Sequence, residues 1–298
     1  MQNDIPEFLY NKLNKQYNTD LTNDIINSYK EERYLTFRVN TLKTTVFDVK
    51  KQLELNNIKY EEVSWYKEAF VIPNGDINEI KKLNMYINGE IYLQSLSSMI
   101  PPLILNPLDG DIILDMAASP GSKTTQIASL TNNKSLITAV EKNRIRLERL
   151  KYNIEKLGAK KINILNIDAT KLDDFYSFDK ILLDAPCSGS GTLNIFDKNY
   201  TSFNEELVDR SSKIQYRLLK KAIKLLKSGH EMVYSTCSIL EEENEYIINK
   251  ILEEENVELI DIENTFSCET LPVSIKGTLC IKPNKYFEGF FVAKLRKK

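Results

Sequence analysis

Two cysteines stand where apolar segments, which we interpret as buried strands, come to an end. Cys187 follows Leu183-Asp184-Ala185-Pro186, and Cys237 follows Val233-Tyr234-Ser235-Thr236. A thiolate can attack an electron-poor carbon, and a neighbouring carboxyl group such as Asp184 can support the charge that develops. A single buried Cys is more often inert. Two at neighbouring strand ends favour covalent chemistry, in which either thiol could be the nucleophile.

A second group of residues indicates an adenosine-containing cofactor that lacks pyrophosphate. Asp115 ends a short apolar run, and Gly121 lies in the turn that leads into a helix from about Lys123. Glu141 ends the next strand about 20 residues further on, where an acid can accept hydrogen bonds from ribose hydroxyls. Asp168 ends a third strand, and it either contacts the adenine amino group or caps the following helix. The loop has neither Walker nor G-x-G-x-x-G spacing.

These groups together suit methylation of carbon 5 of cytosine. That carbon becomes nucleophilic only after a thiolate adds at carbon 6, and an acid near nitrogen 3 must support the charge. Cys237 or Cys187 would supply the thiolate, Asp184 the acid, and the first loop the place for a methyl donor. The base must leave its stack to reach such a site. Amino-group methyltransferases tend to have an aromatic residue where this chain has Cys187.

The elements that must position these residues form two patterns. From about residue 93, apolar strands alternate with helices, including one over Arg144–Leu157, which predicts a parallel α/β sheet that binds ligands at its strand ends. Residues before about Arg33 are predicted to be helical and polar, and a small α+β module follows. We therefore predict two domains, 1–92 and 93–298. The predicted strands are 35–39, 62–65, 70–72, 111–115, 135–141, 162–165, 180–184 and 231–235.

Composition excludes several classes of protein. The chain has 298 residues, 42% hydrophobic, with 40 Lys and Arg against 42 Asp and Glu. No apolar run approaches the roughly 20 residues that span a bilayer, and nothing resembles a signal peptide, so we expect a soluble, cytoplasmic protein. The four cysteines lack metal-ligand spacing, which predicts no metal site. His230 is the only candidate for a histidine base.

Several ordered motifs are similar to those of a known family. Residues 115–124 (Asp-Met-Ala-Ala-Ser-Pro-Gly-Ser-Lys-Thr), 184–191 (Asp-Ala-Pro-Cys-Ser-Gly-Ser-Gly) and 234–239 (Tyr-Ser-Thr-Cys-Ser-Ile) resemble the RsmB-like NOL/NOP/Sun family of RNA 5-methylcytosine methyltransferases. The resemblance runs from about residue 35 to residue 295. It implies a Rossmann-like class I methyltransferase domain with a seven-stranded, mostly parallel sheet, preceded by a small α+β RNA-binding domain.

The resemblance also assigns roles to residues. It implies that Cys237 is the nucleophile, that Cys187 assists release of the methylated RNA, and that Asp184 and Lys123 lie near the target base. S-adenosylmethionine is the implied cofactor. Its predicted contacts are Ala117, Ala118, Ser119, Pro120, Gly121, Ser122, Lys123, Glu141, Arg146, Asp168 and Asp184.

RNA, either tRNA or rRNA, is the predicted partner of a monomeric enzyme. The predicted RNA contacts in the small domain are Arg38, Asn40 and Lys43. A second basic cluster on one predicted helix comprises Lys213, Arg217, Lys220, Lys221 and Lys224, although such clusters are more often solvated surface. Phe37 and Phe290 are expected in the core. The alternative functions are an amino-group or small-molecule methyltransferase and a non-catalytic RNA-binding or assembly factor.

Overall fold

The computed structural model describes residues 5–195 and 203–298, which form two β-sheets with helices packed around them. The α-helices of this part of the chain are α1 (Glu7–Tyr17), α2 (Thr19–Ser28), α3 (Val46–Leu55), α4 (Ile77–Lys82), α5 (Asn84–Ile87), α6 (Leu96–Leu105), α7 (Ser122–Leu130), α8 (Arg144–Leu157), α9 (Glu205–Leu225) and α10 (Glu245–Glu254). The strands are β1 (Leu35–Val39), β2 (Glu61–Glu62), β3 (Ala69–Ile72), β4 (Ile91–Leu93), β5 (Ile112–Asp115), β6 (Leu136–Val140), β7 (Ile162–Leu165), β8 (Phe178–Asp184), β9 (Leu226–Thr236), β10 (Val257–Ile260), β11 (Leu279–Ile281) and β12 (Phe290–Lys297).

The large sheet has the Rossmann-like methyltransferase topology that the resemblance implied. Within the described residues its order is β10-β12-β9-β8-β5-β6-β7, with β11 added beside β12, so it has eight strands rather than the seven expected. Strands β5 to β9 run parallel, and β12 runs antiparallel to β9 and β10. The chain moves outward from β5 through β6 and β7, then returns to place β8 on the other side of β5. Such a reversal opens a crevice at the carboxyl ends of the strands.

The small sheet confirms the α+β module. Its order is β2-β3-β1-β4 and its strands pair antiparallel. Alternation along β1 directs Phe37 into the module's own core, where it stacks on Phe70 at 5.3 Å. The opposite face of β1 lies toward the large domain, since Arg38 donates a hydrogen bond to Thr125 of α7. The division of the chain between residues 92 and 93 stays a prediction.

Helices α1 and α2 were expected to be polar, but they pack into the core of the large domain. Leu9, Leu13 and Ile25 are fully buried in the same cluster as Leu219 and Ile239. Each helix therefore has an apolar face that covers the large sheet and its helices, although both helices precede the small domain in sequence. None of the helices formed by residues 5–195 and 203–298 is long and apolar enough to cross a membrane.

Most predicted elements have the predicted positions, and the exceptions are short. Helix α8 and strands β1 and β7 have the bounds expected from the sequence. In place of the strand expected at 62–65, the structure has the two-residue strand Glu61–Glu62. The helix expected after Asp168 is a single 3-10 turn, Ala169–Lys171. The run Glu241–Glu243 is likewise a 3-10 turn, and it is separate from α10.

Candidate active site

Three parallel strands bring the predicted reactive groups to one edge of the large sheet. Asp115 ends β5, Asp184 ends β8, and Cys237 directly follows β9. The strands are adjacent in the order β9-β8-β5, so their carboxyl ends meet at the crevice. The sheet register places Asp184 opposite Ser235, whose hydroxyl donates a hydrogen bond of 2.8 Å to Asp184 Oδ1.

The two thiols of the crevice lie in direct contact. Cys187 Sγ and Cys237 Sγ are 2.9 Å apart, and both cysteines are free and half-buried. The hydrogen bond with Cys237, burial, and the charges of Glu243 and Asp184 raise the pKa of the Cys187 thiol well above its usual range. Cys187 therefore keeps its proton, and either sulfur can be the donor in this contact. The other two cysteines, Cys268 and Cys280, are buried and line neither cavity described below.

Asp184 is held by a second charged group. Lys123 Nζ lies 2.7 Å from Asp184 Oδ2 and donates a further hydrogen bond of 2.8 Å to Ser98 Oγ. The ammonium group also lies 5.5 Å from the centre of the Phe290 ring. Lys123 is 7% exposed. A charge so nearly buried needs these partners, because an unpaired one would strongly destabilise the fold.

The loop that carries Cys187 is fixed by a buried carboxylate. Glu243 accepts hydrogen bonds from Ser188 N at 2.7 Å, from Ser188 Oγ at 2.5 Å and from Gln215 Nε2 at 3.0 Å. Glu243 is fully buried, and burial raises its pKa. Because Ser188 is the residue after Cys187, this carboxylate sets the position of the Cys187 thiol.

Two glycines let the chain approach closely behind Cys237. Gly191 N donates a hydrogen bond of 3.0 Å to the Cys237 carbonyl, and Gly289 N donates one of 2.8 Å to the Gly191 carbonyl. A Cβ atom on Gly191 would lie only 2.0 Å from the Gly289 carbonyl oxygen. These positions therefore require glycine because there is no room for a side chain.

A cavity of about 340 Å³, here called the thiol cavity, opens at these residues. Cys237, Lys123, Asp184 and Asp115 line it, whereas Cys187 does not. Burial raises the pKa of Asp115 to about 6, and its carboxylate accepts a hydrogen bond of 2.6 Å from Thr124 Oγ1. The thiol cavity thus presents one thiol, three carboxyl groups (Asp115, Asp184 and Glu288) and one ammonium group to a ligand.

A neighbouring cavity of about 220 Å³, here called the Glu141 cavity, shares Ala117 with the thiol cavity. Glu141 and Asp168 stand at its polar side, and Arg146 Nε lies 3.4 Å from Glu141 Oε2. Asp168 also accepts hydrogen bonds from Thr170 N and Thr170 Oγ1, so it caps the 3-10 turn as well. Apolar side chains supply much of the remaining lining: Met116, Val140, Ile167, Ala169, Ile214 and Leu218.

The first loop is divided between the two cavities. Of its residues, Ala117 lines both cavities, whereas Ala118, Ser119, Pro120 and Ser122 line only the thiol cavity. Gly121 lines neither, but it adopts φ +100° at the start of α7 and packs on Leu150, so it shapes the turn.

Burial contradicts two of the predicted RNA contacts. Arg38 is fully buried, and it donates hydrogen bonds to Gln94 Oε1 at 2.9 Å and Thr125 Oγ1 at 2.7 Å. Asn40 is fully buried too, and it donates to the carbonyls of Gly89 and Leu157, both at 2.8 Å. The prediction that these two side chains contact RNA is therefore wrong, because both are used to join the small module to the large domain. Lys43 is exposed and stays a predicted RNA contact.

The basic cluster predicted on α9 is largely neutralised. Lys221 and Lys224 both pair with Asp174, and Lys220 pairs with Glu254 and Glu255. Arg217 instead lines the Glu141 cavity. Neither Lys213 nor Arg217 forms an ion pair among residues 5–195 and 203–298.

The sequence did not identify four residues that support the site. Ser98 and Ser235 bond to Lys123 and Asp184, Glu243 holds the Cys187 loop, and Arg217 borders the Glu141 cavity. Glu243 lies in a run of three glutamates, but the run does not distinguish it from Glu241 and Glu242. Phe290 is buried as expected and also lines the thiol cavity.

Comparison with protein families gives two matches. A family described as 16S rRNA methyltransferase RsmB/F matches residues 102–296. A second family, described as Methyltr_RsmF/B-like, ferredoxin-like domain, matches residues 5–77. The two matches correspond to the large sheet and to the greater part of the region before it.

Individual relatives give the same result. Proteins named ribosomal RNA small subunit methyltransferase F are 34% identical over 272 residues in Aeromonas salmonicida and 35% identical over 288 residues in Vibrio campbellii. These alignments cover 88% and 92% of this chain but 57% and 59% of the relatives, so the chain spans less than two thirds of their length.

Solved structures share the whole fold. A methyltransferase homolog protein from Pyrococcus horikoshii superposes with a TM-score of 0.85 at 33% identity, covering 98% of this chain and 95% of that one. NSun6 from the same organism has a TM-score of 0.89 at 24% identity, covering 100% of this chain and 99% of that one. The fold is thus that of the S-adenosylmethionine-dependent methyltransferases.

Proposed function

Since this chain belongs to the RsmB/F family of 16S rRNA methyltransferases, we propose that it methylates carbon 5 of a cytosine in ribosomal RNA. S-adenosylmethionine is the proposed methyl donor, and Cys237 the covalent nucleophile. The observation that carries the proposal is the contact between Cys187 and Cys237, 2.9 Å apart, beside the Asp184–Lys123 ion pair. A methyltransferase that acts on an amino group or on a small molecule has no need for two adjacent thiols.

The Glu141 cavity fits the nucleoside part of the methyl donor. The Glu141 carboxylate lines the cavity and can accept hydrogen bonds from ribose hydroxyls, and Asp168 can accept a hydrogen bond from an adenine amino group. The apolar lining suits the faces of a flat base. Ala117 lies between this cavity and the thiol cavity, so its small side chain leaves the shared wall thin. When bound, the donor supplies an electrophilic methyl group.

The thiol cavity supplies the groups that activate the cytosine. Cys237 lines the cavity and Cys187 does not, which supports Cys237 as the atom that adds to carbon 6. As the Cys237 S–H bond breaks and Sγ bonds to carbon 6, the ring π electrons move toward nitrogen 3, which takes up the released proton, and carbon 5 becomes an enamine carbon. Asp184 with the Lys123 ammonium at 2.7 Å can deliver that proton and hold the base edge.

Release requires that the carbon–sulfur bond break. After carbon 5 has taken the methyl group, loss of its proton restores the ring double bond and expels the Cys237 sulfur. Cys187 retains a proton, because its hydrogen bond with Cys237 and burial raise its pKa, and it lies close enough to donate that proton to the departing sulfur. The proton released from carbon 5 then restores the Cys187 thiol. Nitrogen 3 gives back the proton that it gained, so one proton is released for each methyl group transferred.

The substrate assignment is supported by the relatives. Those from Aeromonas salmonicida and Vibrio campbellii are named for the small ribosomal subunit, which favours rRNA over tRNA. This chain spans 57% and 59% of those proteins, so we assign it the substrate class and not a particular nucleotide.

The test is transfer of labelled methyl from S-adenosylmethionine to unmodified total RNA, followed by size separation and nucleoside analysis. We expect 5-methylcytosine in the rRNA fraction with the wild type and none with Cys237→Ala. Cys187→Ala should accumulate a protein–RNA adduct that survives denaturation. Cys268→Ala, which removes a buried thiol outside both cavities, is the matched control and should behave as the wild type.

Each other outcome contradicts a defined part of the proposal. Normal methylation by Cys237→Ala would overturn the covalent mechanism. Label confined to tRNA would overturn the substrate. Binding of S-adenosylmethionine without transfer to any RNA would favour a small-molecule methyltransferase. No binding of it at all would favour a non-catalytic RNA-binding factor.

A further inference from the structure

A partly exposed surface with two lysines and two tyrosines lies where the small module meets α8. It comprises Lys43, Tyr86, Tyr152 and Lys156, and is called the junction surface here. Lys156 Nζ lies 3.9 Å from the centre of the Tyr86 ring and 6.0 Å from that of Tyr152. Tyr152 is 62% exposed, so much of its ring is free to contact a partner.

The fold brings the two lysines together at an energetic cost. Burial and the charge of Lys43 both lower the pKa of Lys156. Lys43 Nζ donates a hydrogen bond of 2.8 Å to the Asn88 carbonyl, and its Cε would be 3.2 Å from a Cβ on Gly158. Among the ion pairs formed by residues 5–195 and 203–298, none includes Lys43 or Lys156. These positive charges therefore have no carboxylate to neutralise them in the described structure.

The junction surface is rigid because buried contacts join its two sides. The Asn40 amide donates to the carbonyls of Gly89 and Leu157, which follow Tyr86 and Lys156 closely in sequence. A Cβ on Gly89 would lie 2.4 Å from the Lys156 carbonyl oxygen, so the two segments are in tight backbone contact. Asn40 thus stabilises this surface from within the fold, by hydrogen bonds to both of the segments that form it.

The junction surface is continuous with the thiol cavity. Asn153 Nδ2 donates a hydrogen bond of 2.8 Å to the carbonyl of Pro120, and Pro120 lines that cavity. Lys156 follows Asn153 by three residues on α8, so the two share a helix face and are separated by about 4.5 Å along its axis. An RNA strand that leaves the thiol cavity past Pro120 therefore reaches Lys156 within one turn of α8.

We propose that the junction surface binds the single-stranded RNA that flanks the target nucleotide, with Lys43 and Lys156 on phosphates and Tyr152 stacked on a base. The inference rests on the proposed function, because it requires that the target cytosine occupy the thiol cavity. Two unneutralised lysines beside aromatic rings are complementary to a phosphate backbone that carries stackable bases. Lys220, Lys221 and Lys224 of α9 lack this property, because Asp174, Glu254 and Glu255 pair with them.

The test is salt-dependent binding of an oligouridylate of about 12 nucleotides to the full chain without S-adenosylmethionine. Losing two phosphate contacts should reduce the slope of log affinity against log salt by about 1.4 in Lys43→Gln/Lys156→Gln. Lys221→Gln/Lys224→Gln removes the same net charge from α9 and should leave the slope unchanged. Tyr152→Ala should weaken binding on the order of tenfold at each salt concentration. Thermal unfolding confirms that each variant is folded.

Three outcomes would overturn the inference: equal slope changes in both lysine pairs, no change in the Lys43/Lys156 pair, or no binding by the wild type at low salt. Because this probe contains no cytosine and the assay no methyl donor, the result is independent of methyl transfer. A wild type that methylates rRNA but shows no slope change refutes the junction surface alone. The reverse result refutes the proposed function alone.

Discussion

Replacing Gly191 by Ala tests whether the close approach of two backbone segments positions Cys237. The added Cβ would lie 2.0 Å from the Gly289 carbonyl oxygen and 2.5 Å from its carbonyl carbon. Ordinary contacts are near 3.5 Å, so the two segments must separate by more than about 1 Å. The segments carry the hydrogen bonds from Gly191 to the Cys237 carbonyl and from Gly289 to Gly191. The separation therefore displaces the nucleophile.

The expected effect is large on activity and moderate on stability. A misplacement of about 1 Å lowers a catalytic rate on the order of a hundredfold. Overpacking of this kind costs about 1–3 kcal/mol of unfolding free energy. We expect kcat for methyl transfer to fall to about one hundredth, and alkylation of Cys237 by iodoacetamide, mapped by mass spectrometry, to change in rate as well.

Gly229→Ala is the matched control for this variant. Gly229 has φ +79° and no atom within 4 Å of an added Cβ, so the variant is strained without a steric clash. The strain costs roughly 1–2 kcal/mol, similar to the cost at Gly191. Gly229 lies near the start of β9, whereas Cys237 follows the end of that strand. If Gly191→Ala loses stability like Gly229→Ala but keeps wild-type kcat, the close approach does not position Cys237.

Two further substitutions test the buried acids. Burial raises the pKa of Asp115 from 3.8 to about 6, so the unfolded chain ionises first and wild-type stability falls as pH rises through this interval. Asp115→Asn has no ionisable group here, so its unfolding free energy does not fall in this way. Urea unfolding should show the stability of the variant relative to the wild type rising by up to about 3 kcal/mol between about pH 4 and pH 7. A stability difference that does not depend on pH would contradict this. Glu243→Gln cannot accept both hydrogen bonds from Ser188, so the Cys187 loop should loosen and the covalent protein–RNA adduct should accumulate, measured on denaturing gels. Glu242→Gln is the control, because Glu242 is the neighbour of Glu243 in sequence but pairs with Lys12. Equal amounts of adduct in both variants would argue against a role of Glu243 in positioning Cys187.

Local pattern was enough to predict the five parallel strands of the large sheet and the residues at their ends. Helix α8 could be bounded from the sequence because its apolar spacing ends at Gly158, which adopts the left-handed conformation that closes the helix. The strand ends at Asp115 and Asp184 could be predicted because parallel strands are continuous apolar runs that place the next polar residue at the crevice. Their side chains do meet in the thiol cavity.

The errors concern contacts between distant parts of the chain. Arg38 looks like a surface residue in sequence, but its hydrogen-bond acceptors are Gln94, Ser122 and Thr125, more than fifty residues away. Glu243 is chemically identical to Glu241 and Glu242 beside it. Only the 3-10 turn of the folded chain directs this one carboxylate inward, so no local pattern could have selected it.

The packing of α1 and α2 also bears on how the protein is made. The Tyr17 hydroxyl donates its hydrogen bond to the Ile239 carbonyl, a contact that spans 222 positions of the chain. At a synthesis rate of about 5–20 residues per second, the apolar faces of both helices lack their final partners for roughly 10–40 s on the ribosome. The small module has its core between β1 and β4 and can fold during this interval. A nascent chain of this protein therefore exposes a region around Leu9 and Leu13 to chaperones until the large sheet is nearly complete.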